Sequence, residues 1–136
     1  MRVVVETPRW SFTKYRFAGG AFRPDLVSPL PALFNYGFIE GTRAADGMPE
    51  DAIVLGDRLR QGSKVDVKRL GKVRFVDDGV ADDKAVASAE GRIRLIDKLM
   101  IRLFFTSYTV FKTVRYLIKE RRLARCRYLG FSLCRE

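Results

Sequence analysis

From Arg2 to Ala89, short apolar or alternating runs are interrupted by glycine, proline and aspartate clusters at intervals of roughly eight to twelve residues, a spacing that builds small antiparallel barrels. Arg2 to Glu6 is rich in β-branched residues and ends at Pro8. Phe12 to Phe17 alternates aromatic with polar residues, and Gly19-Gly20 supplies the turn after it. Pro24, Pro29 and Pro31 then hold the chain extended as far as Leu33. Further strands are predicted at Asn35 to Ile39, Ala52 to Leu55, Lys64 to Lys68, Gly71 to Val76 and Ala85 to Ala89. From Ile93 the rhythm changes, and Ile96, Leu99, Leu103, Tyr108, Phe111, Val114 and Ile118 fall near helical spacing. A helix packed on the barrel is predicted at least to about Phe111, while Val114 to Ile118 reads equally as helix or strand.

Charge and composition narrow the chemistry. The 136 residues are enough for one domain with its own core, and the expected boundary is the whole span 1–136 with a basic tail after about residue 109. A net charge of +10 selects anions as partners, and the excess gathers from Lys112 to Glu136, with eight basic residues against two acidic ones. Histidine is missing altogether, which excludes imidazole acid–base catalysis, triads and the usual zinc ligand sets. Cys126 and Cys134 stand eight residues apart and match no redox or zinc spacing, so they read as free thiols in a reducing cytosol. The N-terminal Met1-Arg2-Val3-Val4-Val5-Glu6 lacks the apolar core of a signal peptide, and Leu99 to Phe111 is too short to span a bilayer and contains Arg102. The expected location is the cytoplasm, with no membrane span.

Two acidic turns carry the chemistry. Asp46 and Asp51 bracket Gly47, and Asp77 and Asp82 bracket Gly79, each pair five residues apart around a bend. Four converging carboxylates repel by several kcal/mol unless cations lie between them, and a hard divalent ion such as magnesium takes oxygen ligands of this kind. Lys84 and Lys14 would counter the charge of a phosphate ligand. A single Asp-Gly turn is merely a good exposed turn; two with matching spacing favour a metal.

The residues around these turns resemble the soluble family I inorganic pyrophosphatases. The resemblance rests on Tyr36-Gly37-Phe38-Ile39, on Asp46-Gly47-Met48-Pro49-Glu50-Asp51 against that family's Asp-Gly-Asp-Pro-x-Asp, and on Gly71 through Lys84. Within the last, Asp77-Asp78-Gly79-Val80-Ala81-Asp82-Asp83-Lys84 matches the family's second acidic cluster in full. Val3-Val4-Val5-Glu6-Thr7-Pro8, Thr13-Lys14-Tyr15 and Phe104-Phe105-Thr106-Ser107-Tyr108 extend it, in order, from about Val3 to Tyr108. The resemblance implies an α+β fold, a small OB-like barrel with one or two C-terminal helices, and Mg-dependent hydrolysis of pyrophosphate to two phosphates, with Mn as a substitute. It implies that Asp46, Asp51, Asp77 and Asp82, with Glu6 nearby, hold the metal. Lys14, Tyr36, Lys84 and Tyr108 would bind substrate, with Tyr36 and Lys84 in the catalytic role. It also implies a homo-oligomer.

Four departures temper the catalytic half. Met48 stands where the family has a middle aspartate, and a thioether cannot take a proton from water. Arg16 replaces a glutamate, the family's phosphate-binding arginine has only Arg23 beside Pro24 as a counterpart, and Thr109 replaces a lysine. Glu50 offers a carboxylate from the same turn as Met48. The expectation is an enzyme of reduced rate. The alternative is an impaired relative that binds anions or nucleic acid through Arg121, Arg122 and Arg125, with Tyr116, Tyr128 and Phe131 interleaved to stack on bases. Docking of the same tail on a membrane surface is a third reading.

Overall fold

The computed structural model describes residues 1–44 and 47–134. Its strands in chain order are β1 (Arg2–Thr7), β2 (Thr13–Ala18), β3 (Ala21–Val27), β4 (Asn35–Ile39), β5 (Asp51–Val54), β6 (Lys64–Asp66), β7 (Lys68–Asp77), β8 (Val80–Ala81) and β9 (Lys84–Ser88). The helix α1 (Leu95–Glu120) and the strand β10 (Arg127–Leu133) follow. Seven strands run in the order β10-β7-β9-β5-β4-β1-β6, with β8 paired to β7, and β2 and β3 form a separate hairpin. That hairpin turns on Gly19 and Gly20, both at positive φ (61° and 79°), as a two-residue turn between Ala18 and Ala21 requires. The sheet is OB-like but does not close, since β6 and β10 end the path.

Among the described residues all pairings are antiparallel except one: β5 and β9 run parallel, with Ala52 beside Ala85 and Val54 beside Ala87. These two strands lie in the middle of the sheet and are buried on both faces, so they read as continuous apolar runs rather than alternation. Ile53 and Val86 join Phe34, Tyr36, Val73, Phe75, Ile101 and Phe105 in one core; Ala52, Val54, Ala85 and Ala87 join Val3, Ile39 and Val67 in another. The helix covers the first. At β4, a side chain on Gly37 would meet the carbonyl oxygen of Val4 at 2.0 Å, so only glycine lets β1 approach beside Tyr36.

Three points that the sequence reading missed or left open have local causes. The predicted strand Lys64 to Lys68 is split into β6 and the start of β7 around a buried Val67. The helix continues through Val114–Ile118 because its inner face stays engaged: Lys112 and Tyr116 both reach Asp77 at 3.1 Å. Its entry is fixed by Asp97, whose carboxylate accepts the Arg94 backbone N–H at 2.9 Å. Ile101 and Phe105 face inward, and Ile96, Leu99 and Leu103, among the residues whose spacing marks the helix in the sequence, face outward. Finally, the basic tail contributes β10 to the main sheet against β7, with a register shift at Tyr128/Gly130 that breaks the alternation by which strands are recognised. No helix among the described residues is long and apolar enough to cross a membrane.

Candidate active site

The parallel β5–β9 pair brings the two acidic turns together. Both strands begin at the same end of the sheet, β5 with Asp51 and β9 with Lys84, one residue before the paired Ala52 and Ala85. Lys84 lies 1% exposed, and its Nζ donates to Asp51 Oδ2 and pairs with Asp82 Oδ2, each at 2.8 Å. Burial alone pulls its pKa down, but Asp51 and Asp82 more than restore it, so the ammonium stays charged well above the ordinary lysine range. Asp82 shows the converse. Burial raises its carboxyl, yet the pull of Lys84, with Lys14 and Lys112 further off, leaves it below the usual carboxylate range.

A cleft of about 490 Å³ opens over this clamp, lined by Glu6, Lys14, Asp51, Asp77, Asp82, Lys84 and Tyr108 among others. Lys14, on β2, donates to the Tyr108 hydroxyl at 3.4 Å and lies over the rings of Tyr36 (5.3 Å) and Tyr108 (5.6 Å). Burial, and then the charge of Lys84, lower its pKa against the pull of Asp51 and Asp82. Glu6, at the end of β1, accepts the Phe17 N–H at 2.7 Å; burial raises its pKa and that hydrogen bond opposes the rise. Tyr36 stands apart. It is buried beneath Lys14 and lines a small adjoining pocket with Tyr108 rather than the cleft, and burial pushes its phenol well above the ordinary value. Asp46 lies outside the described residues.

Asp77 is held differently from Asp51 and Asp82. Its Oδ2 accepts from Lys112, and its Oδ1 accepts from Tyr116 at 3.1 Å and from the Cys126 thiol at 3.8 Å. Lys112 and Tyr116 were missed as site residues, although they follow Tyr108 at successive helical turns on one face, the spacing that could have found them. Lys112 is 14% exposed, lines the cleft, and its ammonium lies 5.7 Å from the Tyr108 ring centroid. Burial also raises the Tyr108 phenol, with Lys112 and Lys84 pulling it back. Met48 is 47% exposed at the cleft's edge, and Arg16 lines it too. Glu50 does not serve the cleft: Arg69 holds it in a bidentate pair at 2.9 and 2.7 Å.

The aromatic residues of the tail that the sequence offers for base stacking are engaged within the fold. Tyr116 bonds Asp77, Tyr128 stacks on Phe105 at 5.9 Å, and Phe131 packs against the core. Arg122 is engaged bidentately by Asp78 at 2.7 and 2.6 Å. Binding of nucleic acid has no support in this arrangement.

An open barrel backed by one long helix defines a known fold. The structure is similar to an inorganic pyrophosphatase from Thermus thermophilus, with a TM-score of 0.81 and 23% identity over 98% of this chain and 82% of that one, a likeness of fold alone. It is also similar to one from Neisseria gonorrhoeae, at TM-score 0.76 and 25% identity over the same shares. The model of the family described as inorganic pyrophosphatase matches residues 3–122. The chain therefore belongs to the inorganic pyrophosphatase family. Curated relatives include an inorganic pyrophosphatase of Gluconobacter oxydans, 34% identical over 98 residues, which are 68% of this chain and 57% of that protein. A soluble inorganic pyrophosphatase of Oryza sativa subsp. indica is 37% identical over 89 residues, 62% of this chain and 42% of that protein. The chain spans about half the length of the curated relatives it matches.

Proposed function

We propose that this chain hydrolyses inorganic pyrophosphate to two phosphates with magnesium, manganese serving as a substitute. The observation that carries the reading is the buried Lys84 ammonium clamped between Asp51 and Asp82 in a cleft that also gathers Lys14, Lys112 and Tyr108, within a fold of this family. The donor chemistry fits a hard cation, since the acidic side chains of the cleft offer only oxygen. Among the described residues no three acidic or sulfur groups already form a metal-holding cluster. Asp51, Asp82 and Glu6, with Asp77 and Asp46, are the residues that would hold it. Bound magnesium supplies neutralising charge to the tetra-anion and activates water.

The chain's own groups do the positioning. Lys84 cannot lose its proton near neutral pH and offers a fixed charge at the start of β9. Lys14 donates to phosphate oxygen as it does to the Tyr108 hydroxyl, and the Tyr36 ring beneath it sets its direction. Lys112 adds a third ammonium one helical turn beyond Tyr108. Between Asp46 and Asp51, neither Met48, a thioether, nor Glu50, held by Arg69, is placed to take a proton from water. Slow turnover follows.

Phosphate release from pyrophosphate, measured with magnesium and with manganese, tests the reading against an Asp82→Asn control. Release above that control is expected, and Met48→Asp is expected to raise it, within the roughly 100- to 10,000-fold that a positioned general base supplies. Release no higher than the control would leave an anion-binding module without turnover, the reading that Met48 itself favours. Polyphosphate and nucleoside triphosphates as parallel substrates define the ligand.

A further inference from the structure

The cleft of the candidate site has two unlike halves. Three ammonium groups make one of them: Lys14 and Lys112 lie 5.6 and 5.7 Å from the Tyr108 ring centroid, above the buried Lys84. The lining supplied by β2, β4 and the turn before β5 is of another kind and includes Phe17, Phe38, Met48 and Pro49. Phe38 on β4 is the register partner of Asp51 on β5, so this apolar rim begins one strand away from the clamp. The ring of Phe17 lies stacked on that of Phe38 with centroids 6.1 Å apart, and Phe22 on β3 backs it at 5.0 Å. Glu6 pins the arrangement by accepting the Phe17 N–H. Phe17 remains 39% exposed and Met48 47%, so both keep surface for a ligand.

Inorganic pyrophosphate has no group for such a rim, because its phosphoryl units present only oxygen. The cleft's volume of about 490 Å³ falls in the range of roughly 300–1,000 Å³ in which proteins enclose organic ligands with a few polar anchors. An organic group joined to one end of a pyrophosphate unit fills both halves at once. The rim names its chemistry. Aromatic rings and a polarizable thioether favour contact with a flat π-face, and Arg16 and Asp25, which line the cleft from the two strands of the hairpin, add a donor and an acceptor. A nucleobase has both a π-face and a polar edge, whereas a hydrocarbon chain would desolvate those charges without pairing them. Met48 and Arg16 are two of the positions at which the chain departs from its family, so this half of the cleft is a property of its own sequence. We propose that the cleft receives nucleoside diphosphates, with the base on Phe17 and Met48 and the two phosphoryl groups on Lys14, Lys84 and Lys112; turnover of such a ligand rests on the phosphoanhydride hydrolysis proposed above. In that step the oxygen of water bonds to the terminal phosphorus. The bridging oxygen leaves with the electron pair of its bond as part of the nucleoside monophosphate, and one proton passes to solvent beside the inorganic phosphate.

Phosphonate analogues that resist cleavage separate recognition from turnover. With magnesium present, α,β-methylene-ADP should bind the full chain about tenfold tighter than methyl methylenediphosphonate, which has the same charge and no base; tenfold is the scale of one base–aromatic stack. Phe17→Ala should erase most of that preference. Met48→Ser, at an exposed position of the turn, should reduce it where Phe17→Ala disturbs the hairpin, and circular dichroism checks both folds. Any of three results overturns the proposal: equal affinity for the two analogues; tighter binding of geranyl methylenediphosphonate than of the ADP analogue, which marks a hydrocarbon site; or a preference for the ADP analogue that survives in both variants with their folds intact. The preference without phosphate release from either pyrophosphate or ADP would remove the hydrolysis proposed above and uphold the recognition. Release from pyrophosphate without the preference would do the reverse.

Discussion

Lys84 shows how much one side chain is asked to do. It satisfies two carboxylates that would otherwise repel, and they in turn let a buried amine keep its charge. The signs of the shifts fix how this pair responds to pH in protein freed of divalent ions. Asp82 is held below its ordinary 3.8, so the stability it lends is present above that value and lost as pH falls through its lower folded pKa. Lys84 is held above its ordinary 10.5, so its contribution is present below that value and lost as pH rises through its folded pKa. Chemical denaturation at stepped pH should therefore show a plateau from this pair, with a fall at each side. Lys84→Met should lower the plateau and remove its own alkaline fall. Breaking a buried pair costs about 3–5 kcal/mol, and the side chains of Asp51 and Asp82, 41% and 33% exposed, place this case toward the lower end. An unchanged midpoint at neutral pH would contradict this account of Lys84.

Among the elements, α1 carries most of the connection between core and site. Phe105 is fully buried among the rings of Phe75, Phe104, Tyr108 and Tyr128 and holds the helix at the rotation that points Tyr108 at Lys14. Phe105→Ala should cost about 3–5 kcal/mol in thermal or denaturant unfolding, with Lys14 losing its partner as the helix rotates. The strands were legible from alternation and turn residues: β7 alternates buried and exposed positions, while β1 and β2 run directly into Pro8 and Gly19. The acidic turns were legible because carboxylates at matching intervals have few other uses. The face of α1 was not. Its outward stripe is as apolar as its inward one, and the hydropathy period cannot tell which side meets the barrel when both are oily. Nor was β10, whose bulge destroys the alternation, or Lys112, which reads as one more charge on a helix until Asp77 is seen beside it.

On the scale of the whole molecule, charge outside the cleft matters more than charge within it. Among the described residues the cleft is lined by four basic and five acidic side chains, close to balance, while the chain as a whole carries +10. Capture of an anion is thus driven by the surrounding field, which salt screens: the Debye length contracts from about 30 Å at ~10 mM to about 8 Å at ~150 mM. kcat/KM for pyrophosphate should fall across that range, and a flat profile in initial rates at low substrate would show that the field plays no part.

The single parallel pairing has a consequence for time as well as for place. Parallel neighbours cannot be joined by a hairpin, and here β6, β7 and β8 all lie between β5 and β9. Asp51 and Lys84 can therefore meet only after that long crossover has closed, and loop closure of this kind is settled entropically before its contacts reward it. On a growing or refolding chain the hairpins are expected to form first, and Lys84, although Asp82 stands only two residues away, should reach Asp51 late. The site is thereby a reporter of completed folding: a chain that has not finished its crossover has no clamp with which to hold a phosphate.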